Sequence, residues 1–126
     1  MSRKHARSAI KDVIAERVFQ RADGEEVRAV VGRPRRAKRD WVCEFQILGV
    51  GHDKVYKLPG ADSLEALQSA IGMMVIQLEL DYKHKHSLTF LGEPHLLLWM
   101  YDFERMQKEI EATPDYSKWS HVLDGV

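Results

Sequence analysis

Residues 41–48, WVCEFQIL, constrain the fold more than any other stretch of this sequence. Large apolar side chains recur there with a two-residue period, which places Trp41, Cys43, Phe45 and Ile47 on one face of an extended segment. Successive side chains of a β-strand point to opposite faces of its sheet. The stretch therefore predicts a central strand with one face turned towards a hydrophobic core.

Further strands are predicted on both sides of this one. Residues 13–21 and 26–33 are rich in Val, Ile and Phe, and they flank Asp23-Gly24, a strong hairpin signal. Residues 54–59 follow a turn that contains two glycines, and residues 88–94, LTFLGEP, are predicted as a short fifth strand. The order of these segments predicts a mostly antiparallel meander sheet of four or five strands.

An amphipathic helix is predicted over residues 64–82. Asp62 suits the N-cap and Glu65 completes a capping-box pattern three residues later. The stripe predicted to face Trp41, Phe45 and Ile47 consists of Leu64, Leu67, Ile71, Met74 and Leu78. If Ile71 lies in that core, Ile71→Ala would cost about 2–5 kcal/mol.

Glycine inside the helix predicts a packing feature. Gly72 costs about 1 kcal/mol relative to alanine at such a position. We therefore expect a close approach of the helix to the sheet at Gly72, with no functional role attached.

The remaining segments complete a single α+β domain over residues 1–126. Residues 1–12 are predicted as a basic N-terminal arm, and residues 95–112 as a second helix that ends before Pro114. Residues 113–126 form a polar C-terminal tail with a few large apolar side chains.

The order of four segments resembles a family of small bacterial α+β domains of unknown function. These segments are ERVFQRADGEEVRAVVGRP, DWVCEFQILGVG, the helical ADSLEALQSAIGMM and the following LTFLGEP. The resemblance spans roughly residues 14–98, and it implies a sheet-then-helix fold and a bacterial origin. It brings no catalytic residues to this chain.

Cysteine usage and hydropathy indicate a cytoplasmic protein. The single cysteine, Cys43, leaves no internal disulfide and no multi-cysteine zinc site. The basic N-terminus has no continuous apolar region of the secretory type, and no apolar run reaches the roughly 18 residues of a membrane span. We therefore expect no association with a membrane.

The net charge of zero conceals an asymmetry along the chain. Residues 1–39 hold 12 of the 19 Lys and Arg but only 5 of the 19 Asp and Glu, a net charge of +7, which leaves −7 for residues 40–126. If the two halves occupied separate faces, the resulting field could steer a charged partner.

No catalytic or metal-binding motif is evident. His84 and His86 lie two positions apart, which places them on different sides of a continued helix, so we expect no metal site there. Cys43 lies on the apolar face of the central strand and is predicted to be a buried structural thiol. The sequence also lacks a phosphate-binding glycine loop and a nucleophile elbow. We therefore expect a non-enzymatic protein without a cofactor.

The basic run of residues 33–39 is predicted as a loop that links two strands. Its cations Arg35, Arg36, Lys38 and Arg39 suit a protein partner, a nucleic-acid backbone or simple solvation. Tyr116 and Trp119 in the tail are further candidate contacts, since aromatic residues and arginine are enriched at binding hot spots.

These features predict a protein-binding domain. The favoured hypothesis is an immunity protein that neutralises a cognate bacterial toxin by occluding it. The contact surface would consist of these basic and aromatic residues, Arg35, Arg36, Lys38, Arg39, Tyr116 and Trp119. The alternative is a nucleic-acid-associated or regulatory module that uses the basic loop of residues 33–39.

Overall fold

The computed structural model describes residues 7–98 and residue 112. Five strands and two helical segments lie in this part of the chain. In chain order they are β1 (Val13–Gln20), β2 (Glu26–Gly32), β3 (Arg35–Arg36), β4 (Trp41–Leu48), β5 (Val55–Gly60), α1 (Ser63–Ile76) and a π-helix (Gln77–Tyr82).

The strands form one antiparallel sheet with β4 at its centre. β5 pairs with β4 along one side, whereas β2 and β3 pair successively with the other side, β2 at residues 45–48 and β3 at residues 41–42. Among the five strands, β1 pairs with β2 alone and forms the outer edge of the sheet. The predicted α+β fold with a five-stranded meander and one packed helix is confirmed.

One face of the sheet carries the main hydrophobic core. The alternation predicted for β4 is confirmed, since Cys43, Phe45 and Ile47 are almost fully buried and Trp41 packs against them. From the neighbouring strands the core takes Phe19, Val27, Ala29 and Val31. α1 covers this face, chiefly over β4 and β5, and the π-helix adds the buried Leu78 to the core.

On the opposite face of the sheet, the buried side chain of Gln46 forms hydrogen bonds to two segments outside the sheet. Gln46 is only 1% exposed, and its Oε1 accepts hydrogen bonds from Ser8 Oγ (2.9 Å) and the Ala9 backbone N–H (3.0 Å). Its Nε2 donates to the Asp53 carbonyl (2.9 Å). Because a buried polar group needs partners, these bonds hold residues 8–9 and the β4–β5 loop on this face.

The predicted helix start is confirmed at Asp62. The Asp62 carboxylate accepts a hydrogen bond from the Glu65 N–H at 2.7 Å, and the Glu65 carboxylate accepts one from the Ala61 N–H at 2.9 Å. Two backbone donors at the helix start are thereby satisfied. The helical region ends at Tyr82 as predicted, but its last six residues form a π-helix.

The face that the helix turns to the sheet differs from the predicted stripe. Leu64 and Ile71 are 61% and 40% exposed, although both were expected in the core. Met74 and Leu78 of the predicted stripe are buried, and Ala66 and Ala70 are buried in place of Leu64 and Ile71. The helix is therefore rotated towards its alanines, and the expected 2–5 kcal/mol cost of Ile71→Ala loses its basis.

Close approach of helix and sheet occurs at Gly60, and the prediction of Gly72 is wrong. A Cβ added at Gly60 would overlap the backbone N of Ala66 and lie 2.7 Å from its Cα. A Cβ added at Gly72 would meet nothing within 4 Å. Small residues on both sides of this contact let the helix backbone lie directly against β5.

The segment after the helix also departs from expectation. Residues 88–94 form no regular strand; Thr89 exchanges two 2.9 Å backbone hydrogen bonds with Gln20, and Phe90 and Glu93 then close a tight turn. The fifth strand of the sheet is β3 instead. Residues 95–98, the start of the predicted second helix, are not helical, and residues 99–111 lie outside the described residues.

Candidate functional site

The basic run was predicted as a loop, and the structure corrects this at Arg35 and Arg36, which form a short strand of a β-hairpin. β3, Arg35–Arg36, pairs antiparallel with Val42 and Trp41 at the start of β4. The Ala37 N–H donates to the Asp40 carbonyl at 2.8 Å and closes the turn between the two strands. We call residues 35–42 the basic hairpin.

Two arginines of the run are held by carboxylates of the same domain. Arg33 Nε donates to Asp12 Oδ2 at 2.6 Å, and Arg35 Nη2 donates to Glu44 Oε1 at 3.2 Å. Both pairs line a polar cleft of about 430 Å³ between residues 9–12 and β3. Exposed pairs of this kind add at most about 1 kcal/mol to stability, but they fix where each guanidinium lies.

The other three cations lie at the end of the basic hairpin. Arg36, Lys38 and Arg39 are exposed, and none of them forms an ion pair with another residue of the described part of the chain. Arg36 stands opposite Trp41, whose half-buried ring packs against the core. We call these three residues the tip cations.

The two aromatic residues proposed for the same contact surface lie outside the described residues. Tyr116 and Trp119 belong to residues 113–126, so their position relative to the tip cations stays a prediction. Of the six predicted contact residues, the structure brings Arg35, Arg36, Lys38 and Arg39 together on one hairpin.

Cys43 has the surroundings of a structural thiol. It is fully buried, and its Sγ donates to the Gly32 carbonyl at 3.2 Å. Burial raises the pKa of the Cys43 thiol above its usual value, and the negative charge of Glu44 acts in the same direction. A nucleophilic thiol needs the opposite shift, because the thiolate is the reactive form.

The histidines near the helix end do not converge. His84 is exposed, whereas the ring of His86 stacks on Tyr82 with centroids 6.1 Å apart. His52 Nε2 lies 2.9 Å from the Tyr82 hydroxyl. Within residues 7–98 and residue 112, no group of three or more His, Cys, Asp or Glu side chains is placed to hold a metal ion.

A second surface, which the sequence reading missed, is an apolar groove of about 290 Å³ beside α1. We call it the α1–β1 groove. Its floor is formed by Ala15, Ala29 and Val31 of β1 and β2. Its walls are formed by Ile71, Met74 and Val75 on the helix side and by Leu97 and Leu98 on the other. The only signal in the sequence was the small size of Ala15 and Ala29 on the core-facing positions of adjacent strands.

Arg17 lies at one end of the α1–β1 groove. Its Nη1 donates to the carbonyls of Leu96 (3.0 Å) and Leu97 (2.7 Å), and its guanidinium carbon lies 4.4 Å from the centre of the Phe90 ring. Glu16 also borders the groove, but its carboxylate pairs with Arg28 at 2.5 Å.

No helix of the described residues is both long enough and apolar enough to cross a lipid bilayer. Neither the curated proteins nor the solved structures contain a match to this chain. A family model, Domain of unknown function (DUF6968), matches residues 15–97. The match covers well over half of the 126 residues and includes every strand and helix described above except the first two residues of β1. The chain therefore belongs to the DUF6968 family of domains of unknown function.

Proposed function

We propose that this chain is a non-enzymatic protein-binding domain of the bacterial cytoplasm, and that it acts as an immunity protein that neutralises a cognate toxin by occluding it. In this proposal the tip cations Arg36, Lys38 and Arg39 bind an acidic surface of the partner. The observation that carries the proposal is an ordered hairpin with three cations that form no ion pair within the described part of the chain.

The pairing pattern of the basic run supports a contact surface at its end. Arg33 and Arg35 are occupied by Asp12 and Glu44, whereas the tip cations have no carboxylate partner among the described residues. Like charges held close together repel each other, so an acidic partner would relieve this repulsion as well as pair with the cations.

The ordered backbone of the basic hairpin also favours tight binding of a partner. The β3–β4 ladder and the Ala37–Asp40 turn fix the backbone that bears the tip cations. A contact surface that is already ordered loses less conformational entropy when it binds. Trp41, adjacent to Arg36 and half-buried, adds an aromatic group of the type enriched at binding hot spots.

A pull-down with quantitative follow-up tests the proposal. The tagged full chain is incubated with nuclease-treated lysate of the source cells, and any protein recovered stoichiometrically is purified and titrated by calorimetry. We expect Arg36→Glu/Lys38→Glu/Arg39→Glu to weaken binding at least about a hundredfold, since charges that meet across an interface couple strongly. We also expect the domain to suppress the partner's toxic activity in proportion to binding.

The matched control removes three cations elsewhere on the surface. Lys54, Lys57 and Lys85 are exposed and lie outside the basic hairpin, so their triple substitution by glutamate, which changes the net charge equally, should leave the dissociation constant unchanged. Equal losses in both variants would contradict a specific site at the tip. Recovery of nucleic acid alone, with binding lost in the tip variant, would replace the proposal by the nucleic-acid alternative.

A further inference from the structure

The α1–β1 groove combines an apolar surface with a cation, Arg17, that pairs with no carboxylate of the described residues. Ile71 and Leu97 on its walls are 40% and 67% exposed. α1 lies mainly over β4 and β5, so the core face of β1 is left open at Ala15, which is exposed although it points to the same face as Phe19. Exposed apolar surface that borders a concave site is typical of a binding groove.

Arg17 has polar and aromatic contacts but no carboxylate partner among the described residues. Its side chain is half-buried, and it pairs with no carboxylate among residues 7–98. Nη1 is used by the Leu96 and Leu97 carbonyls, whereas Nε and Nη2 make no hydrogen bond to the described residues. Partial burial of a cation without a counter-ion is unfavourable, and a bound anion would remove that cost.

The dimensions of the groove limit what it can hold. β1 contributes Ala15 and Arg17, which are two residues apart and therefore separated by about 7 Å along the strand. The volume of about 290 Å³ lies at the lower end of ligand sites in proteins. A helix of several turns would not fit lengthwise, whereas one short hydrocarbon chain would.

We propose that the α1–β1 groove binds a short- or medium-chain aliphatic carboxylate. The hydrocarbon chain lies on Ala15, Ala29 and Val31 against Ile71 and Met74. The carboxylate accepts hydrogen bonds from Nε and Nη2 of Arg17. The two carbonyls that hold Nη1 and the Phe90 ring keep the guanidinium in place before the ligand arrives.

Amide NMR titration of the full chain with octanoate, at a pH where the carboxylate is ionised, tests the proposal. Octanol serves as the neutral ligand with the same chain length. We expect saturable shifts at the floor residues, and tighter binding of octanoate than of octanol. Arg17→Gln should weaken octanoate binding about tenfold and change octanol binding little, because one charge-assisted contact is lost. Arg17→Lys should retain part of the preference for octanoate.

Two further variants separate groove binding from other effects. Ala15→Leu places a larger side chain on an exposed floor position, so it should abolish binding of both ligands without unfolding the domain. Lys57→Gln removes an exposed cation from β5 and should change neither. Equal affinity for octanoate and octanol, or shifts that do not saturate and spread over the surface, would overturn the proposal. Protection of the groove by a protein partner without any binding of octanoate would overturn it too.

Discussion

At the scale of single residues, Gly60 sets the distance between helix and sheet. It ends β5 directly beneath the first turns of α1, where Ala66 occupies the facing position. A side chain at residue 60 would collide with backbone atoms of the helix at Ala66. These backbone atoms cannot move aside as the end of a flexible side chain could. The sequence pointed to Gly72 because that glycine interrupts the helix, but the space around Gly72 is open.

The two glycines should therefore respond oppositely to alanine. Gly60→Ala is expected to lower the free energy of unfolding by about 1–3 kcal/mol through overpacking. Gly72→Ala is expected to raise it by about 0.5–1 kcal/mol, because alanine favours the helix and nothing within 4 Å obstructs its methyl group. Urea unfolding of the two variants measures both values. A loss of stability at Gly72 similar to that at Gly60 would contradict the proposed contact.

At the scale of elements, the orientation of α1 shows where the apolar pattern was insufficient. The pattern of large residues through Leu64 and Ile71 predicted one face, and the line through Ala66 and Ala70 packs instead. Alanine is small and only weakly apolar, so it contributes little to the pattern of large apolar residues. Its small side chain nevertheless lets α1 lie close to β5, where Gly60 leaves room on the strand. The uncovered flank of the helix then becomes a wall of the α1–β1 groove.

This orientation predicts unequal costs for two truncations in the helical region. Leu78→Ala should lower the free energy of unfolding by about 2–5 kcal/mol, because Leu78 is fully buried in the core. Ile71→Ala should cost about 1 kcal/mol, because Ile71 is 40% exposed. Chemical denaturation under identical conditions compares them. Equal costs would restore the helix face that the apolar pattern predicted.

The basic hairpin is a second element that the sequence misassigned. The run begins next to Gly32 and contains Pro34, and proline cannot donate to a strand ladder, a pattern typical of a loop. Pro34 instead lies at the bend between β2 and β3, and the chain resumes pairing with β4 at Arg35. Gly32 and Pro34 interrupt the pairing along one side of β4 but do not end it. A local sequence pattern cannot distinguish such an interruption from a loop.

At the scale of the whole molecule, ion pairs form within the basic residues 1–39 as well as between these residues and the acidic residues 40–126. Cations of residues 1–39 pair with carboxylates of the same half at Asp12, Glu16 and Asp23. Arg35 pairs with Glu44 of the acidic half. Within residues 7–98 the tip cations take part in none of these ion pairs, so positive charge is concentrated at the end of the hairpin.

Stability should also depend on pH through His86. Burial lowers the pKa of His86 below its usual value of 6.5, and the charges of Arg21 and Lys85 act in the same direction. The unfolded chain therefore takes up this proton more readily than the folded chain does. The resulting stabilisation is fully present above pH 6.5 and is lost as the pH falls through the lower pKa of the folded state.

Replacement of His86 by phenylalanine should remove this dependence. The ring can still stack on Tyr82, and the buried Nε2, which has no hydrogen-bond partner among the described residues, is eliminated. Thermal unfolding between neutral pH and about pH 5 should show a smaller loss of stability in His86→Phe than in the wild type. His84→Gln, at an exposed neighbouring position, is the control and should follow the wild type.

The α+β class, the central position of β4, the hairpin at Asp23-Gly24 and the helix start at Asp62 could be predicted before folding was considered. They depend on alternation, turn chemistry and capping over a few consecutive residues. The buried face of α1, the pairing of the basic run within the described residues and the groove beside Arg17 became evident only in the folded chain. Those outcomes depend on the distance between elements and on pairs such as Arg35 and Glu44 that meet only after folding. The two proposals use Arg36, Lys38, Arg39 and Arg17. Their surroundings in the folded chain, and not their local sequence, distinguish these residues from the other arginines and lysines.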